Sequence, residues 1–269
     1  MRSASVLDRP QPSPDLHTDD LLVMWQHPVT REILPIGRFW RRGASYIFAY
    51  TAAAADIEGF RPLPGLDQLD RRYESERIPA VFDQRVMSSE RSDYADYLGT
   101  IGLTAATPWE QIVESGGRRA GDTLQFMALP AVVGGRASAR FLANGVSHIP
   151  EAARRLSDRE ILVTREQQEA ALQSVKVGGS VGLEPEADNP QDPAAVLITV
   201  AGVPVGWVPR LLSAGVRELL HAAPLEARVH RVNGVNAPFH LRLALDFDAP
   251  APDGFVFDRD GRWELLADQ

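Results

Sequence analysis

Short apolar and aromatic runs open the patterned part of the chain: Leu21 to Trp25, Ile36 to Trp40 and Tyr46 to Tyr50, split by Pro35 and Gly43. Runs of this length between turn residues predict strands, and three in succession predict a small antiparallel sheet. Residues 1–19 before them are rich in Pro, Ser and Asp with no apolar period, which predicts a disordered arm. Ala52 to Ile57 reads as a short helix closed by Gly59, and Phe60 to Gly65, with Pro62 and Pro64, as a rigid loop. The period then changes. From Pro79 to Met87 and from Arg91 to Ile101 apolar residues recur every three or four positions (Val81, Phe82, Val86; Tyr94, Tyr97, Leu98, Ile101), the stripe of amphipathic helices. Pro108 in a first turn and Gly116-Gly117 after the last predict a third helix over Trp109 to Ser115.

Ser115 to Gly121 combines three glycines with two arginines, a composition that suits an anion nest, but without the order of a phosphate-binding loop it reads as a helix stop and linker. Beyond it strand signals dominate: Phe141 to Val146, Val181 to Leu183, Ala194 to Val200, Val203 to Val208, Leu225 to Val232 and His240 to Phe247. Helices are expected at Pro150 to Leu156, Arg165 to Val175 and Leu211 to Ala222. The expected class is α+β: a small N-terminal domain of antiparallel sheet plus helices over 20–120, a linker and connecting strand over 121–139, a small partly open β-barrel with peripheral helices over 140–248, and a tail over 249–269.

Composition narrows the chemistry. The 269 residues include no cysteine, which removes disulfides, thiolate nucleophiles and Cys-rich zinc sites. The six histidines show no metal-motif spacing, so neither a metal nor another cofactor is expected. No run approaches the length needed to cross a bilayer, and the first 20 residues lack a secretory apolar core; a cytoplasmic protein without membrane contact is expected. The net charge of −8 argues against bulk, salt-driven binding to duplex DNA. It is unevenly spread: residues 134–248 hold 12 Arg/Lys against 13 Asp/Glu, whereas residues 1–133 hold 14 against 18 and the tail 2 against 5. A local basic pocket in the second half is compatible with that balance. The acidic run Glu184, Glu186, Asp188 and Asp192 lacks calcium-loop spacing and reads as a solvated acidic loop.

Three blocks in the second half stand in a telling order: Phe141-Leu142-Ala143-Asn144-Gly145-Val146-Ser147-His148, then Asn189-Pro190-Gln191-Asp192, then Gly206-Trp207-Val208-Pro209-Arg210. Over roughly residues 136–248 the chain resembles HIRAN domains. The resemblance implies a non-catalytic module that engages the 3′ end of single-stranded DNA, with Ser147, His148, Asn189, Gln191, Asp192, Trp207 and Arg210 in or near the pocket. It implies that Asp192 accepts a hydrogen bond from the terminal 3′-hydroxyl, while Arg210, at the start of a helix, meets a phosphate. Gln191 and Ser147 depart from the family, where an aromatic and an Arg are common. Each lost base stack costs about 1–3 kcal/mol, and His148, Trp207 and Phe239 are candidates to supply stacking instead. The plain readings stand beside these: a capped turn for Asn189, core for Trp207, surface for His148.

The segments Gly37-Arg38-Phe39, Tyr46 to Tyr50, Gly59 to Leu63 and Ile78 to Met87 make residues 21–104 similar to the small N-terminal subdomain of HipA-type kinases. That likeness implies a protein-docking role, with Phe82, Val86, Tyr94 and Tyr97 either a docking face or the core of their own domain. Kinase activity is not expected, because Lys176 is the sole lysine and no catalytic loop follows it. His230 with Asp246, or His240 with Asp248, are conceivable acid–base pairs, but no nucleophile motif accompanies them. Two functions stay open: a DNA-end reader linked through residues 21–104 to a partner in repair, restriction or defence, and an antitoxin-like regulator of a HipA-type toxin kinase without DNA affinity.

Overall fold

The computed structural model describes residues 19–119, 123–156 and 158–268; the arm expected over 1–19 lies outside them except for Asp19. The chain begins with β1 (Asp20–Gln26), β2 (Ile33–Arg42) and β3 (Ser45–Tyr50), paired antiparallel in sequence. Pro35 does not split β2. It lies opposite Met24 at a register shift, where the bulge removes the need for a ladder donor. After α1 (Ala52–Asp56), strand β4 (Tyr73–Ser75) joins β3 at one edge. The loop between them is pinned by Tyr50, whose hydroxyl donates to Leu66 O and accepts from Leu63 N.

Helices α2 (Ala80–Asp83) and α3 (Tyr94–Thr100) are shorter than their apolar periods suggest. The polar run between them prefers its own turns: Ser88 Oγ accepts from Glu90 N, Arg91 clasps Asp93, and Met87 N is drawn away to Gln111 Oε1. Helix α4 (Pro108–Ser115) forms as expected, with a Thr107–Glu110 capping box, Pro108 at its first position and a left-handed Gly116 at its end. Within the stretch expected as a linker and connecting strand, Leu124–Ala128 is strand β5, which pairs with β1 and gives the sheet order β4-β3-β2-β1-β5.

The second sheet is antiparallel: β6 (Ala131–Val133), β7 (Arg136–Leu142), then, after a small β8 (Arg154–Arg155) and β9 (Glu160–Ile161) hairpin and α5 (Arg165–Ser174), β10 (Ser180–Pro185), β11 (Val196–Val200) and β12 (Val203–Trp207). Helix α6 (Arg210–Ala222), β13 (Ala227–Val232) and β14 (Leu243–Pro250) complete it in the order β12-β11-β10-β13-β14-β7-β6. Where a helix was expected over Pro150 to Leu156 the chain instead makes a 3-10 turn at Val146–Glu151 and then β8, whose Arg154 and Arg155 pair with Ile161 and Glu160. The sheet curls back on itself, as Asn144 beyond β7 exchanges two 2.9 Å backbone hydrogen bonds with Trp207 of β12. One bridge thus closes the barrel.

Strand alternation decides how the halves meet. Leu21 and Val23 face the first core with Phe39, Phe48, Phe82 and Trp109, while Leu22, Met24 and Met127 face the barrel core. β1 is therefore buried on both sides. Phe82 is interior, and Val86, Tyr94 and Tyr97 pack against interior clusters, so these four form no exposed docking face. The segment expected as a tail is a strap: Phe255 and Phe257 cover α6 at Gly215, Trp263 and Leu265 are buried, and Leu265 bridges to Thr51 of the first half. A Cβ on Gly215 would lie 2.8 Å from the Phe257 ring.

At the junction Arg231 of β13 donates to Ile101 O and to both the carboxylate (2.7 Å) and the carbonyl (2.7 Å) of Glu114, closing the C-terminal end of α4. His230 lies between Glu114 (3.4 Å) and Asp246 (3.5 Å), and Asp246 is clasped by Arg140. The pair His230 with Asp246 thus exists, but as part of a structural network. Asp248 instead bonds Arg136. The Asp246 and Glu114 carboxylates raise the His230 pKa. Burial would raise Glu114 and Asp246, but His230 with Arg231, and Arg140 with His230, outweigh it and hold both carboxyls low.

Removing the buried guanidinium leaves two carbonyls without this donor and the Glu114 carboxylate with only His230 and Arg140 beside it, so Arg231→Ala is expected to cost about 3 kcal/mol, read as a lower urea midpoint. His230 contributes stability that is complete below its unfolded pKa of about 6.5 and is lost as pH rises through its raised folded value. His240 has the opposite sign: burial, with Arg118, pushes it down to about 4, so its contribution rises with pH only up to about 6.5. A urea midpoint that falls above pH 7, and falls less in His230→Gln, is the expected result.

Candidate functional site

The loop from β10 to β11 is built on one carboxylate. Glu186, only 4% exposed, accepts the Trp207 indole N–H at 2.7 Å and the Asn189 amide, with the Arg154 guanidinium 4.0 Å away. The acidic run is therefore not uniformly solvated, because Glu186 is buried within it and takes both hydrogen bonds on one carboxylate oxygen. Asn189, so held, accepts from the backbone N–H groups of Gln191 (2.9 Å) and Asp192 (3.0 Å). This is the turn its sequence predicts, and it serves a scaffold role. Asp192 Oδ1 then accepts from Ala194 N at 2.9 Å, and Arg217 of α6 steadies the loop through Pro193 O. Asp192 Oδ2 has no partner among the described residues.

Asp192 and Arg210 line one cleft of about 300 Å³. Arg210 is the first residue of α6, preceded by Pro209, and is exposed; its nearest carboxylate is Glu32 at 4.0 Å. Glu32 comes from the first half, and the strap supplies the opposite wall with Asp258, Asp260, Arg259, Arg262 and Trp263. Glu218 of α6, also in the lining, pairs with Arg259. Five carboxylates and three guanidiniums thus meet here, so the cleft is open but not positively lined.

The remaining predicted residues lie elsewhere. Trp207 is half-buried, with the Arg154 guanidinium 4.6 Å from its ring centroid and Gly145 so close that a Cβ there would lie 2.5 Å from the indole. Gly145, at φ 63°, meets both the turn and the close approach. Arg165 brings Ser147 and Phe239 together, donating to Ser147 O at 3.1 Å and stacking 5.3 Å from the Phe239 ring centroid. Phe239 is 47% exposed, and exposed His148 contacts Glu151 at 3.0 Å. Gln191 is exposed and has only its backbone in the turn. Arg154 joins the two groups, since it donates to His148 O while covering Trp207.

The HIRAN domain family model matches residues 154–249. This HIRAN region suggests nucleic-acid binding, and it contains Asn189, Gln191, Asp192, Trp207, Arg210 and Phe239. Ser147 and His148 fall just before it, on the segment that closes the barrel. No curated protein and no solved structure matches the chain. The likeness of residues 21–104 to the HipA subdomain gains no support from these comparisons.

Sequence reasoning missed Glu186, Arg154, Arg165 and the strap. Glu186 had a usable signal, a carboxylate three residues before Asn189 at a strand end. Arg154 and Arg165 had none, since nothing local places them beside Trp207 and Phe239. Glu186→Ala is expected to leave the Trp207 and Asn189 donors unsatisfied, at about 1–3 kcal/mol, and to speed amide exchange at Asp192 and Ala194 relative to β11.

Proposed function

We propose that this protein is a non-catalytic reader of single-stranded DNA 3′ ends, with Asp192 and Arg210 as its terminal contacts. The observation that carries the reading is their placement on one cleft, with a free carboxylate oxygen on one side and an exposed guanidinium at a helix start on the other. An ionised carboxylate accepts a hydrogen bond from a sugar hydroxyl, and a guanidinium beside first-turn amides suits the adjoining phosphate. His230 and Asp246 do not argue for catalysis, because structural partners occupy them. The buried β1 and the Arg231 junction join residues 21–104 to the barrel, so the first half serves as support and carries any partner of the assembly.

The carboxylate excess of the cleft favours one other reading, a protein–protein regulator without DNA affinity. Fluorescence anisotropy separates the two. A labelled single strand with a 3′-hydroxyl is expected to bind better than the same strand with a 3′-phosphate. Asp192→Ala is expected to lose about 10- to 100-fold and erase the preference. Arg210→Ala is expected to weaken both strands and lower the salt slope by about 0.7. Equal affinity for both ends in the unmodified protein would remove the end-reading role.

A further inference from the structure

The strap is the unexpected element at the cleft. It leaves the barrel at Pro250, buries Phe255 against α6, and folds Asp258 back so that its carboxylate accepts from Arg262 N and Trp263 N. It is then fastened to the first half, where Ala52 N donates to Glu264 O at 2.8 Å and Leu265 bridges to Thr51. Between these anchors Asp258, Arg259, Asp260 and Arg262 line the side of the cleft that the HIRAN match, ending at residue 249, does not include.

We infer that the strap, with Glu32, makes the cleft a dead end that admits a strand terminus and rejects a continuing strand. The inference rests on the end-reading function proposed above and adds to it the element that enforces the end. Arg259 is paired with Glu218 and Arg210 has Glu32 at 4.0 Å, which leaves Arg262 to offset Asp192, Asp258 and Asp260 in the same lining. A phosphate beyond the terminal sugar meets Asp258, Asp260 and Glu32, with the Arg262 guanidinium alone to offset them. Like charges across an interface reject the wrong partner more than they weaken the right one. A terminal hydroxyl carries no such charge.

Glu32→Gln with Asp260→Asn tests this in the full-length protein, because Glu32 is half-buried, Asp260 is exposed, and neither carboxylate has a hydrogen bond among the described residues. Three probes of one sequence are compared: a linear single strand with a 3′-hydroxyl, the same strand with a 3′-phosphate, and a covalently closed circular single strand. The double variant is expected to bind the phosphorylated and circular strands roughly three- to tenfold better relative to the hydroxyl strand than the unmodified protein does. If the unmodified protein prefers the hydroxyl end and the double variant shows the same ratios, the strap's role is overturned and end-reading survives. If the unmodified protein binds the circular strand as well as the linear one, both fall together.

Discussion

The Glu186 carboxylate is the constraint on which the site depends. A buried carboxylate is costly unless it is answered, and here an indole N–H and an amide both donate to one oxygen while a guanidinium stands 4.0 Å from the other. Each donor is thereby placed. Trp207 fixes the end of the strand that closes the barrel, and Asn189 fixes the turn that aims Asp192. The barrel's closure and the orientation of the terminal carboxylate are two consequences of one ionic centre.

A second centre, around Glu114, does for the two halves what Glu186 does for the loop. Arg231 ends α4 and joins it to β13, while β1 gives alternate side chains to both cores. The strap adds a third tie on the far side. The cleft between Asp192 and Arg210 is therefore walled by the barrel, by Glu32 of the first half and by the C-terminal segment, and its charge belongs to the whole chain. A barrel of this kind without its neighbours would carry a different field at the same two residues.

Much of the architecture was legible because local rules and tertiary packing agree. The strands around Leu21, Tyr46 and Val196, the capped α4 and the α6 start after Pro209 all follow from pattern and punctuation. Reading failed where long-range partners decide. The apolar stripes at Pro79 and Arg91 promised longer helices, but Gln111 and the serine turns won the backbone between them. Pro35 looked like a break because its bulge partner, Met24, is eleven residues away. The Asn189 loop was visible as a turn. Trp207, open to a stacking or a core reading from the sequence, packs against Arg154 and Gly145, contacts that no local pattern encodes. The strap escaped notice because Phe255-Val256-Phe257, Trp263 and Leu265-Leu266 are short apolar pieces of an acidic stretch with no period, and only α6 and Thr51 give them a place.

The most direct test is a backbone and arginine-side-chain NMR titration of the full-length protein with a short single strand bearing a 3′-hydroxyl. The account predicts perturbations concentrated at Asp192 to Ala194, at Arg210 to Leu212 and at the Arg210 Nε resonance. Shifts confined to the surface around His148, Arg165 and Phe239, with the Asp192 and Arg210 signals unmoved, would contradict it.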